Sequence, residues 1–230
     1  MASDAAALIV SLDGPGSSGK SSVGAAAASV LGYRFCDTGV LYRGLTWLAL
    51  ERGVEAGDAD GLVALVPQME LAPDGQGRYV HLLVDGREVT DQLHTAAVDA
   101  RVSEVSRHAA VRAALLPVQR ALAAGGAMIM AGRDIGSVVL PDADLKLYLD
   151  VPLEERARRR ARERGVEADQ QAMAAIEAEL RRRDGIDSTR QTAPLRIPDG
   201  ALVIQTEGNT LEQTVADVVA AIRRAVEPGT

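Results

Sequence analysis

The chain has 230 residues, 47% of them apolar, and 32 acidic against 25 basic residues for a formal charge of −7. That length accommodates one sizeable core with appended lobes, and the acidic balance argues against a nucleic-acid binder that works through a basic surface. A single cysteine, Cys36, rules out an intrachain disulfide and fits a reducing compartment. No apolar run is long enough for a membrane helix, and "MASDAAALIV" lacks the basic region of a secretory signal, so a cytoplasmic chain without membrane contact is expected.

Residues 8–12 read as a first buried strand. "GPGSSGKS" follows at once, and the helix after it carries Val23, Ala27, Val30 and Leu31 on one face with Gly32 as C-terminal cap. Residues 33–36 form a second strand. "DTGVLYRG", from Asp37 to Gly44, then opens a helix marked by Leu41, Leu45 and Leu48 and closed at Gly53. Residues 55–61 are expected as a surface loop. From Gln68 to Thr90 the rhythm changes to "QMEL", "YVHLLV" and "REVT", separated by Asp74-Gly75 and Asp85-Gly86, which predicts a small antiparallel sheet inserted into the core. Residues 128–131, 145–149 and 202–205 are three more strands. Residues 153–196 are crowded with charge and carry one helical hairpin around Gly165. The last helix opens with a capping box, Thr210 and Gln213, and stripes Leu211, Val215, Val218, Val219 and Ile222 along one face. Strands alternating with helices imply a parallel, doubly wound α/β sheet.

The chemistry begins between the first strand and the first helix. Gly14, Pro15, Gly16, Ser17, Ser18, Gly19, Lys20 and Ser21, followed by Ser22, fit G-x-x-x-x-G-K-[ST] in its proper strand–loop–helix setting. The glycines let backbone N–H groups turn inward around an anion, and the helix aims its positive end at the same point. Lys20 can reach the β- and γ-phosphates of a nucleoside triphosphate, and the Ser21 hydroxyl can ligate Mg²⁺. Lys20 and Lys146 are the only lysines. Every other basic residue is arginine, the bidentate partner of phosphate and carboxylate.

Several arginines fall where strands end. Thr38 lies at the end of the second strand, with Arg43 a turn into the next helix. Arg133 and Asp134 follow the third long strand in "AGRDIGSVV". Arg183, Asp187 and Arg190 lie in "RRRDGIDSTRQTAPL". Ligands gather at carboxyl ends of such strands, so separate arginines converging there suggest a second anion beside the triphosphate. Asp37 could approach Mg²⁺ through water or cap a helix, and both readings stand. His81, His94 and His108 form no ligand set. Cys36 and Trp47 are most simply core.

Five segments together, "GPGSSGKSS", "DTGVLYR", "AGRDIGSVV", "LDVPLEERARRRARERG" and "RRRDGIDSTRQTAPL", make the sequence resemble the bacterial cytidylate kinases, CMP/dCMP kinases of the nucleoside monophosphate kinase group. The insert resembles the small sheet that marks the bacterial type. The resemblance implies an α/β P-loop fold with a five-stranded parallel sheet flanked by helices. It implies a CORE over residues 1–37, 98–152 and 195–230, an acceptor-binding lobe over 38–97, and a helical LID over 153–194. It further implies a monomer that transfers the γ-phosphoryl group of ATP to CMP or dCMP with Mg²⁺. Position by position, Thr38 and Arg43 would hold the acceptor phosphate and Arg133 would bridge the two phosphate groups. Ser103, Arg112 and Asp134 would read cytosine, and Arg183, Asp187 and Arg190 would contact sugar and nucleotide.

Arg158 and Arg162, spaced i, i+4 in the lid, are the candidates to cover the transferring group, with Arg159, Arg160 and Arg164 expected on the surface. Thr38 stands where many relatives carry serine and keeps the hydroxyl. Another small-molecule P-loop kinase would share this anion logic. A non-catalytic GTP-dependent switch would normally carry an N-K-x-D segment, which this sequence lacks, since Lys146 lies in "DLKLY".

Overall fold

In the computed structural model, which describes residues 8–227, the elements run in chain order as follows. The first half holds β1 (Ile9–Asp13), α1 (Lys20–Leu31), β2 (Arg34–Asp37), α2 (Gly39–Arg52), α3 (Ala59–Leu65), β3 (Met69–Pro73), β4 (Arg78–Val84), β5 (Arg87–Glu88), α4 (Ala96–Arg107) and α5 (Ala109–Ala123). The second half holds β6 (Met128–Gly132), β7 (Leu145–Asp150), α6 (Leu153–Glu163), α7 (Gln170–Thr189), β8 (Leu202–Gln205) and α8 (Leu211–Val226).

Five strands form the expected parallel sheet in the order β2-β6-β1-β7-β8. Its centre is buried on both faces, which is why β6 reads as an unbroken apolar run. One face packs under α2, α3, α4 and α5 around Leu45, Leu62, Leu82 and Leu115. The other packs under α1 and α8 around Leu12, Ala27, Ile129 and Val218. The approach of α1 is close because position 24 is glycine: a Cβ there would overlap the Phe35 ring and stand 3.2 Å from Leu12 Cδ2. Val30 is not on this buried face. It is 57% exposed, since the inward row is Val23, Gly24, Ala27 and Ala28. The capping box at Thr210 and Gln213 forms as expected.

The inserted antiparallel strands continue the main sheet. β4 pairs with β3 on one side, and its first residues lie parallel to β2, Arg78 opposite Phe35 and Tyr79 opposite Cys36. β2 would otherwise leave an open row of backbone groups, and β4 fills that row. Asp85 and Gly86, both at positive φ (50° and 76°), make the two-residue turn into β5. The loop at Asp74 is longer. There the carboxylate accepts from Gln76 N and Arg78 N, and Gly77 takes the left-handed position. The loop expected over 55–61 is cut short because Asp58 caps α3 by accepting from Gly61 N at 2.9 Å.

Beyond the strand ends, α6 and α7 form the hairpin that turns at Gly165 and packs on a small core of its own, Ala157, Ala161, Ile176 and Leu180. Among the described residues, no helix is long and apolar enough to cross a membrane.

Candidate active site

The loop between β1 and α1 folds as a close cradle. At Gly14 a Cβ would stand 2.6 Å from the Leu149 carbonyl oxygen, so only glycine fits against β7. Gly19 at φ 90° turns the chain into α1, whose first residue is Lys20. Lys20 Nζ donates to Pro15 O at 2.7 Å and to Ser18 Oγ at 3.1 Å, bending over the loop. Burial and the Arg133 guanidinium pull its pKa down to about 7. The Ser21 hydroxyl donates to Asp37 Oδ2, while Asp37 Oδ1 accepts from Gly39 N at 2.9 Å. Asp37 thus meets the end of the cradle and the head of α2 at once.

Behind the cradle lies Asp13, a fully buried carboxylate at the end of β1. It accepts from Ile135 N at 2.6 Å and Gly136 N at 2.8 Å. These two N–H groups open a wide helical turn over Ile135–Val139, in which Leu140 N reaches back to Ile135 O. Asp13 therefore fixes the segment that carries Arg133 and Asp134. Sequence reasoning passed it over, although a lone carboxylate ending an apolar strand was the available signal.

The segments expected to converge do so. Lys20, Thr38, Arg43, Ser103, Arg112, Arg133, Asp134, Arg183, Asp187 and Arg190 line one cleft. Thr38 Oγ1 donates to Ala131 O at 3.0 Å. Arg112 pairs with Asp134, donates to Ser106 O at 3.0 Å and lies 5.1 Å above the Tyr42 ring. Arg190 reaches both Asp134 and Asp187 at 3.5 Å and donates to Ala193 O at 2.6 Å. Arg133 pairs with Asp187.

The two lid arginines singled out on spacing are not among these side chains. Arg158 is 61% exposed and paired with Glu155, and Arg162 is exposed. The inward row of α6 is Arg156 and Arg160, and positions 158 and 162 lie about 200° round the helix from them. Arg160 lines the cleft with Glu163. Arg156 is buried, donating to Gly16 O at 3.1 Å and pairing with Asp184 at 2.6 Å. Arg159 donates to Thr206 O at 2.6 Å and to Ser18 O at 3.3 Å. The helix therefore clasps the cradle through arginines that the i, i+4 pair did not include. His94 also lines the cleft.

Seven cationic side chains face this cleft against four carboxylates, in a protein of charge −7. The excess is felt locally. Burial and the neighbouring Arg183 lower Arg133 to about 9, and burial with Arg112 lowers Arg190 to about 10. Burial and Arg43 likewise pull Arg183 below its usual range. Cations crowded and desolvated in this way are stabilised by an anion placed among them.

Comparison with known proteins agrees with this reading. The family model described as cytidylate kinase matches residues 10–224. The chain belongs to the cytidylate kinase family. It is 41% identical to a cytidylate kinase of Geobacillus thermodenitrificans over 224 residues, covering 95% of this chain and 98% of that protein. It is 38% identical to a cytidylate kinase of Enterococcus faecalis over 218 residues, covering 94% and 95%. It is also 42% identical to a bifunctional pantoate ligase/cytidylate kinase of Synechococcus sp. over 223 residues, covering 95% of this chain and 44% of that longer protein.

Proposed function

We infer that the chain transfers the γ-phosphoryl group of ATP to CMP or dCMP, giving ADP and CDP or dCDP. The observation that carries this is the under-neutralised cleft, in which arginines from five separate segments stand beside a triphosphate cradle. Phosphoryl transfer asks little covalent work of a protein. It needs two phosphate groups held in line, their charge offset and water kept out.

In this reading the cradle N–H groups and Lys20 hold the donor, Thr38 and Arg43 hold the acceptor phosphate, and Arg133 stands between the two. Arg160 takes the role first given to Arg158 and Arg162. Arg183, Asp187 and Arg190 meet the acceptor's sugar and phosphate side. Closure of α6 and α7 excludes water and separates transfer from simple ATP hydrolysis.

The donor set suits Mg²⁺. Ser21 and Asp37 offer hard oxygen atoms beside the cradle, and among the described residues no cluster of three His, Cys, Asp or Glu offers a full protein cage. That fits an ion held mainly by phosphate oxygens and water. Ser21, with Asp37 behind it, would hold the ion, which supplies charge neutralisation on the phosphates when bound.

For the base, Arg112 can donate to N3 and O2 of cytosine while Asp134 accepts from its N4 amino group. Uracil reverses both partners, and each buried mismatch costs about 1–3 kcal/mol. A coupled ADP-release assay with CMP, dCMP, UMP and AMP tests the whole reading. CMP or dCMP should exceed UMP and AMP in kcat/KM by at least about tenfold, and equal turnover of AMP would overturn it.

A further inference from the structure

A line of alternating charges crosses the mouth of the cleft through three groups that phosphoryl transfer itself does not use, Asp99, Arg164 and Glu179. Arg43 Nη1 donates to Leu93 O at 3.1 Å, and Nη2 donates to Asp99 Oδ1 at 2.8 Å. The second oxygen of Asp99, Oδ2, faces Arg164 Nη2 at 3.8 Å, just past the end of α6. Arg164 Nη1 continues to Glu179 Oε2 at 3.2 Å, and Glu179 Oε1 lies 3.9 Å from Arg183 Nη1. The line starts and ends on cleft arginines, and between them it passes from α2 through α4 into the α6–α7 hairpin.

Asp99 is the one member that touches both sides. Burial works to raise its pKa, but the Arg43, Arg183 and Arg160 guanidinium groups override that and hold the carboxyl below its usual range. It is a carboxylate at neutral pH. A negative group so placed repels an incoming phosphate, so it acts through its arginines: it fixes one edge of the Arg43 fork and offers the other oxygen to the lid.

We propose that Asp99 is a positioning residue that couples seating of the α6–α7 lid, through Arg164, to capture of the acceptor phosphate by Arg43. The proposal rests on Arg43 being an acceptor-phosphate ligand. The same hairpin clasps the donor cradle, because Arg156 and Arg159 donate to Gly16 O and Ser18 O. A seated lid is therefore favoured by donor and acceptor together, and by reciprocity each tightens the other. The Asp99–Arg164 pair is partly exposed, with side chains 20% and 37% accessible. A pair of that kind shifts an equilibrium by about twofold to fivefold at low salt.

The test is calorimetric titration of CMP into the whole protein, alone and saturated with a non-hydrolysable ATP analogue and Mg²⁺. In the wild type the analogue should tighten CMP binding. Arg164→Gln should leave analogue-free CMP binding unchanged and cut the tightening by about twofold to fivefold. Asp99→Asn should cut it equally, and the double variant no further. At 0.5 M KCl the variants and wild type should converge, as a screened pair requires and a packing defect does not. The proposal fails if the wild type shows no tightening, if Arg164→Gln retains all of it, or if the two substitutions multiply. Should Asp99→Asn fail to fold, Arg164→Gln and the salt series decide alone. Arg43→Lys is the separate control: unchanged CMP affinity there would remove the acceptor-site reading itself, whatever the lid result.

Discussion

Asp13→Asn separates two effects that partly cancel at neutral pH. Burial raises the Asp13 pKa from an ordinary 3.8 to about 6, against the opposing pull of the Gly136 and Ile135 N–H groups. Ionising this carboxyl therefore costs about 3 kcal/mol more in the fold than in the unfolded chain, a cost the protein carries at pH 7. The amide relieves that cost, but it turns an NH2 toward one of the two backbone donors, which costs about 1–3 kcal/mol. The variant should then equal wild type or exceed it by up to about 2 kcal/mol at pH 7.

The sign of the pH dependence is sharper. A carboxyl whose pKa is raised on folding adds stability below its unfolded pKa and loses it as pH rises through the folded value. Between pH 7 and pH 5 the native state takes up this proton while the unfolded chain hardly does, so wild type gains about 1.3 kcal/mol from this group. The amide cannot titrate, so the stability of the variant relative to wild type should fall by that amount, about 3–5 °C in Tm for a chain of this size. Urea unfolding and calorimetry at pH 5, 6 and 7 measure it. A difference between variant and wild type that stays constant, or moves in the variant's favour toward pH 5, would refute the reasoning. Because Asp13 pins the turn after Arg133 and Asp134, kcat should also fall at every pH.

On the proposed base reading, Asp134→Asn turns a donor toward the cytosine amino group, so the CMP-over-UMP ratio of kcat/KM should drop by about tenfold or more, and an unchanged ratio would remove Asp134 from base reading. Arg160→Ala should lower kcat by about tenfold or more while Arg158→Ala stays within about twofold, and steady-state kinetics with the order reversed would restore the outward pair. Gly24→Ala forces a methyl group into the Phe35 ring and should cost about 1–3 kcal/mol in urea unfolding, with activity of the folded fraction retained.

The strands and the phosphate cradle were legible because their signals are local: apolar runs bounded by turn residues, and a glycine pattern between strand and helix. The hairpin turn at Asp85-Gly86 was legible for the same reason. What escaped depends on neighbours far along the chain. Spacing says that Arg158 and Arg162 share a face, but the phase of that face is set by the Ala157 and Ala161 seam against α7, which carries Arg156 and Arg160 inward. Val30 looks like a core position until the glycine at 24 shows which side of α1 meets Phe35. Asp13 reads as the last letter of a strand, and only the arrival of Ile135 and Gly136, more than a hundred residues later, gives its carboxylate partners. Helix α3 was missed because seven residues carry too few periods to stand out from a polar loop.

The attachment of β4 to β2 constrains what the insert can do. Deleting residues 69–88 would strip β2 and present its amides and carbonyls as a template for another chain. A shortened variant should accumulate as oligomers or precipitate before any loss of CMP binding could be measured. The segment thus doubles as a selvedge that stops the central weave from being extended by a stranger.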